Sequence, residues 1–149
     1  MQICKLHSRV SWTFQIIAAV ILLQTLYFKF TGAEESRYIF ATLGVEPWGR
    51  IGTGLLELLA AGLLLRGRTA VFGAIMSAGL MGGAIFSHLT KLGIIVKDDG
   101  GLLFCLAVTV LGSAAIVIWL RRYEIPFLRT WLPAPHSGAC TLKAHENIL

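Results

Sequence analysis

Charge is scarce in this sequence: Asp, Glu, Lys and Arg make up 14% of its 149 residues, against about 25% in soluble globular domains. Hydrophobic residues make up 56% and the mean hydropathy is +0.73, which excludes an ordinary soluble domain and equally a disordered chain, since disorder needs polar and charged composition. Cysteine is sparse, at three residues, and no C-x-x-C occurs, so a thiol–disulfide exchanger lacks its pair of thiols. Cys4 and Cys140 are expected on the reducing side and Cys105 stands alone within an apolar run. A Gly-rich phosphate loop and a nucleophile elbow are both missing, which removes the nucleotide and acyl-transfer chemistry they carry. The length gives one domain as the expectation and leaves no room for a separate soluble catalytic domain beside the apolar runs.

Long hydrophobic runs are what the sequence has in abundance. Four of them, at about 10–30, 48–65, 70–89 and 101–120, are each long enough to cross a hydrocarbon core about 30 Å thick at about 1.5 Å per residue. The fold class predicted is all-α, an integral membrane four-helix bundle. Four crossings place both termini on one side. Lys5, Arg9, Arg66, Arg68, Arg121, Arg122, Arg129 and Lys143 lie on that side, and Lys29, Arg37, Arg50, Lys91 and Lys97 on the other. The excess of basic residues assigns the terminal side to the cytoplasm. In a membrane protein a net charge of +5 speaks to orientation, and no nucleic-acid partner is expected. The first run is longer than the 7–15-residue core of a secretory signal, and it is read as a span.

Residues 31–47 carry helix signals of their own. Thr31 with Glu34 fits a capping box, Ile39, Phe40 and Leu43 form an apolar stripe, and Gly44 with Pro47 makes a stop. A short interfacial helix is predicted here, read as a membrane-skimming connector or as a lid. Trp12, Trp48, Trp119 and Tyr123 suit the aromatic belts at the two interfaces. Asp98, Asp99, Gly100 and Gly101 form a polar turn that starts the fourth span. The tail at 126–149 is expected to be flexible and cytoplasmic, and its His136, Cys140 and His145 match no zinc spacing. No metal site is expected.

Association between spans depends on small residues, because lipid tails are as apolar as leucine. The third span carries Ala70, Ala74, Ala78 and Gly82 on one face and Gly79, Gly83 and Ser87 beside it, including a G-x-x-x-G. It is expected to sit centrally, touching two neighbours, with intrachain packing accounting for these ridges ahead of a dimer interface; homo-oligomer formation stays open.

Ionisable groups at membrane depth cost about 2.5–3.5 kcal/mol on insertion scales and are functional candidates by default. Glu57 is the acid within a span, and His88 lies near the outer end of the third. Counting along the helices puts Gln24, Lys29, Glu57 and His88 in one half of the bilayer. Glu57 and His88 are therefore the candidate catalytic residues, and Gln24, Lys29 and Thr53 the candidate ligand-binding residues. The bland alternative is that Glu57 pairs with Lys29 or His88, or stays protonated on burial, and that the cluster merely fixes helix register.

The stretch from Phe28 to about Leu120 resembles the DoxX and DoxX-like membrane proteins. The resemblance is carried by Phe-Lys-Phe-Thr-Gly at 28–32, Gly-Thr-Gly-Leu-Leu-Glu-Leu-Leu-Ala-Ala-Gly-Leu-Leu-Leu at 52–65 and Gly-Ala-Ile-Phe-Ser-His-Leu at 83–89. It implies a bacterial inner-membrane domain over 1–125, some relatives being small subunits of thiosulfate:quinone oxidoreductases and others parts of redox assemblies. By that analogy Glu57 and His88 lie near a quinone or sulfur-compound site. The expected partners are the lipid bilayer and redox-complex subunits, and the expected function is that of a membrane subunit of a quinone-linked complex. The alternative is a non-catalytic scaffold or assembly factor, with solute transport third.

Overall fold

The computed structural model describes residues 2–97 and 99–122; the expected tail at 126–149, with His136, Cys140 and His145, lies outside the described residues. The described chain is all-helical: α1 (Gln2–Thr31), α2 (Glu34–Thr42), α3 (Trp48–Leu65), α4 (Ala70–Ser87), a π-helical turn (His88–Leu92) and α5 (Leu102–Leu120). Four of these segments are long and apolar enough to span a membrane, α4 doing so together with the π turn. In hydrocarbon every main-chain N–H and C=O must be satisfied within the segment, and helices meet that demand.

The connections close the backbone account. Between α3 and α4 the hydroxyl of Thr69 turns back to the carbonyls of Leu63 and Arg66, at 3.0 and 3.2 Å, so that the start of one helix satisfies the end of the other. Ahead of α5, Asp99 receives the N–H groups of Val96 and Gly101 on Oδ1 and of Leu103 on Oδ2. Gly100 and Gly101 follow with φ of 63° and 83°, a left-handed turn that glycine adopts without steric cost. The polar turn is thus a helix start.

α1 and α4 each pack chiefly against α3 and α5, so the four spans form a closed ring. The third span touches two neighbours, α3 and α5, as expected, but it is no more central than the others, since each span has two principal neighbours. The core is built from small and branched side chains, among them Ala18, Leu22, Ala60, Leu64, Ala74 and Ala114, all 0–1% exposed. At Gly73 the backbones of α3 and α4 come closest: a Cβ there would lie 2.6 Å from Leu64 N and 2.9 Å from Ala60 O. The G-x-x-x-G behaves otherwise. Gly79 and Gly83 are exposed, and a Cβ on either would meet nothing within 4 Å, so intrachain packing accounts for Ala70 and Ala74 and leaves these glycines facing outward.

α2 lies across one end of the bundle against α1, α3 and the π turn, with Ser36 and Phe40 buried beneath it. The expected capping box does not form. α1 runs on to Thr31, whose hydroxyl donates to the carbonyl of Tyr27 at 2.7 Å, and the residue preceding α2 is Ala33. Lys97, in the loop before α5, pairs with Glu34 and lies 5.3 Å over the ring of Tyr38, which ties α2 to that loop. The hydrogen bond and charge of Lys97 hold the Glu34 carboxyl below its ordinary range.

Candidate functional site

Glu57 lies on α3 nine residues after Trp48, roughly 13 Å along the helix from the end covered by α2. Its side chain is 4% exposed and that of Lys29, on α1, 15%. The Lys29 ammonium donates to both carboxylate oxygens, at 2.7 and 2.6 Å. Thr25 is one helical turn before Lys29, on the same side of α1. Its hydroxyl lies 3.2 Å from Glu57 Oε2 and 2.9 Å from the carbonyl of Leu22, so one proton serves two acceptors. Close approach of the helices is helped by Gly54, one turn above Glu57, where the ring of Phe30 sits 3.4 Å from the place a Cβ would take.

A second cation completes this seam. Arg50 is buried, donates from Nε to both oxygens of Glu46 at 2.8 and 3.1 Å, and reaches the main-chain carbonyl of Lys29. The last carbonyls of a helix lack intrahelical partners and carry partial negative charge, and a guanidinium answers both. Lys29 is thereby fixed at its head and at its backbone by two residues of α3.

His88 occupies a different seam. It is buried at the first position of the π turn, its Nδ1 2.8 Å from the carbonyl of Gly93 and its ring edge-on to Phe104 of α5 with centroids 5.8 Å apart. A carbonyl can only accept, so neutral His88 carries its proton on Nδ1 and keeps the lone pair on Nε2. π turns of this kind recur at functional positions in helices. Asp99 lies in the field of this imidazole. Partial burial raises the Asp99 carboxyl, but the N–H groups of Val96, Gly101 and Leu103, with the charge of His88 adding to them when its ring is protonated, outweigh that and set it below its ordinary 3.8.

The structure thus brings Glu57 and Lys29 together and adds Thr25 and Arg50. Among the described residues no hydrogen bond or ion pair joins His88 to that group: Glu57 reaches α1 while His88 reaches α5. Thr53 is half-buried and turns its hydroxyl to the carbonyls of Gly49 and Arg50. Gln24 is exposed on α1, about 100° around the helix from Thr25, and does not meet Glu57. Thr25 rather than Gln24 is the polar residue of α1 at this depth that faces inward. The spacing of four between Thr25 and Lys29, and between Glu46 and Arg50, is the sequence signal that finds both additions.

At the opposite end a second polar cluster joins α1, the α3–α4 connection and the end of α5. Arg121 is buried at the end of α5 and donates to Ser11 Oγ of α1 at 2.8 Å and to the Gly67 carbonyl at 2.6 Å. Gln15 donates to the same Ser11 hydroxyl at 2.7 Å. A shallow groove lined by Leu55, Leu59, Gly62 and Arg66 runs along the far side of α3 and includes neither Glu57 nor His88.

Residues 13–117 match the family model described as the DoxX-like family. No curated protein and no solved structure matches the chain.

Proposed function

This chain belongs to the DoxX-like family and is a multi-pass membrane protein, and we propose that it serves as the membrane subunit of a quinone-linked redox complex. On this reading it lies in a bacterial inner membrane with both termini cytoplasmic and α2 on the periplasmic face. The observation that carries the reading is the Lys29–Glu57 pair at membrane depth, a carboxylate and an ammonium whose side chains are 4% and 15% exposed.

A buried ion pair adds little stability over apolar side chains of the same volume, so its presence between two spans is better accounted for by a polar ligand than by packing. An ammonium has three donors. Two of them engage the oxygens of Glu57, and the third is left for an acceptor such as a quinone carbonyl. Reducing a quinone takes two electrons and two protons. Glu57 and Lys29 handle protons and hydrogen bonds, and the electrons come from a partner subunit. His88, with its Nε2 lone pair, is a second proton-accepting group at the same end.

The scaffold reading is favoured by a specific observation as well: Lys29 and Thr25 close directly on Glu57, as a register lock would. The two readings part on quinone content. The wild type and the variants Glu57→Gln, Lys29→Met and His88→Ala are purified in mild detergent and their bound quinone is extracted and measured. A subunit that binds quinone at this pair loses it in the first two variants. Equal quinone in all four preparations, with lowered thermal stability in the pair variants, supports the scaffold.

A further inference from the structure

We propose that two copies of this chain associate side by side through the exposed face of α1, with the Gln24 amide of each hydrogen-bonded to Gln24 of the other. The inference is independent of the quinone reading.

Depth is the first part of the argument. Thr25 meets Glu57, which lies roughly 13 Å below the level of Trp48, and Gln24 adjoins Thr25. Trp12 is twelve residues before Gln24, about 18 Å along α1. Gln24 therefore stands near the middle of a hydrocarbon core about 30 Å thick, and it is exposed there. An amide facing acyl chains without a partner costs about as much as a lost hydrogen bond or more.

Exposed threonines on the spans do not share this problem. The hydroxyls of Thr13, Thr90 and Thr109 each return their proton to the carbonyl four residues earlier, at 2.8–3.0 Å. The Gln24 amide has no hydrogen-bond partner among the described residues.

Spacing supplies the partner's geometry. Thr13, Ile17, Val20, Gln24, Tyr27 and Thr31 are all exposed and succeed one another at intervals of four, three, four, three and four. This is the seven-residue repeat of two helices packed at a shallow left-handed angle, common between membrane spans. Gln24 takes a central seam position, where one polar residue fixes register.

A second copy is the occupant this chemistry selects. An amide carries both donors and an acceptor, so it is its own complement. Copies inserted in the same orientation present Gln24 at the same depth, and a twofold axis along the membrane normal sets the two amides face to face. Lys29 and Thr25 point to α3, so the seam leaves the Glu57 site intact.

The test uses the full-length chain in lipid vesicles. Its oligomeric state is counted by single-molecule photobleaching across a dilution series, and single-cysteine variants are oxidised to report which faces meet. The wild type is expected to dimerise, Gln24→Leu to weaken the dimer by about tenfold, and Val20→Cys and Tyr27→Cys to cross-link while Leu59→Cys and Ile116→Cys do not. Gln24→Leu makes the span more apolar, so loss of the dimer in it does not reflect failure to insert. A chain that stays monomeric throughout, a Gln24→Leu dimer as strong as the wild type, cross-links through Leu59→Cys or Ile116→Cys instead, or cross-links in native membranes to a different protein alone, would each overturn the proposal.

Discussion

Lys29 and Glu57 are joined head to head across the seam of α1 and α3, at 2.7 and 2.6 Å, while Arg50 of α3 holds the main-chain carbonyl of the same lysine. The α1–α3 seam is therefore locked from both sides, and removing either charge leaves the other buried.

This makes the pair a coupled unit in unfolding experiments. Glu57→Leu and Lys29→Met are each expected to lower stability by about 3 kcal/mol, because a lone charge remains between the spans, and the double variant is expected to recover most of that loss. Reversible unfolding in mixed detergent and SDS micelles measures it. Losses that simply add would show that the two groups do not depend on each other.

The two kinds of glycine on α4 should respond oppositely to the same change. At Gly73 a methyl group meets the backbone of α3, 2.6 Å from Leu64 N, and backbone cannot step aside as a flexible side chain can. Gly73→Ala is expected to cost about 1–3 kcal/mol. Gly79→Ala places its methyl in open space and removes a helix-interior glycine, so the expectation is a gain of about 0.5–1 kcal/mol. Thermal unfolding of the two variants side by side decides the matter.

Acid should loosen the start of α5. The Asp99 carboxyl is lowered from 3.8 by the N–H groups it receives, so its contribution is complete above its unfolded value and is lost as pH falls through the lower folded value. Wild type is expected to lose this increment of stability in going from pH 5 to below its folded pKa, and Asp99→Ala, already without the cap at a cost of about 1 kcal/mol at neutral pH, to show a smaller change. Hydrogen exchange of the Gly101 and Leu103 amides over that range reads the cap directly. Protection that is equal at both ends of the range would contradict it.

Depth along each span could be counted from the sequence, and rotation about it could not. Glu57, His88, Lys29 and Gln24 were expected in one half of the bilayer from residue counts alone, and the structure keeps Lys29 and Thr25 level with Glu57. Yet Gln24 and Thr25, adjacent in sequence, point about 100° apart, and nothing in their types says which of the two faces α3. His88 and Glu57 divide in the same way. Both lie toward the α2 end, but one turns to α5 and the other to α1. The capping box failed for a related reason, since Thr31 found an acceptor within α1 before the chain left that helix.

Composition and the spacing of the apolar runs pointed to a four-span, all-helical membrane protein, and the apolar stripe before Gly44 and Pro47 to a short helix between its first two spans: too little charge to remain in water leaves the chain in lipid, and lipid leaves the backbone no choice but to bond within each segment. Which face of each span meets which neighbour was decided by the tertiary structure. In a bilayer the buried and lipid-facing sides are equally apolar, so hydrophobicity carries no record of rotation. Only close contacts such as Gly73 against Leu64, and polar bonds such as Lys29 to Glu57, fix it.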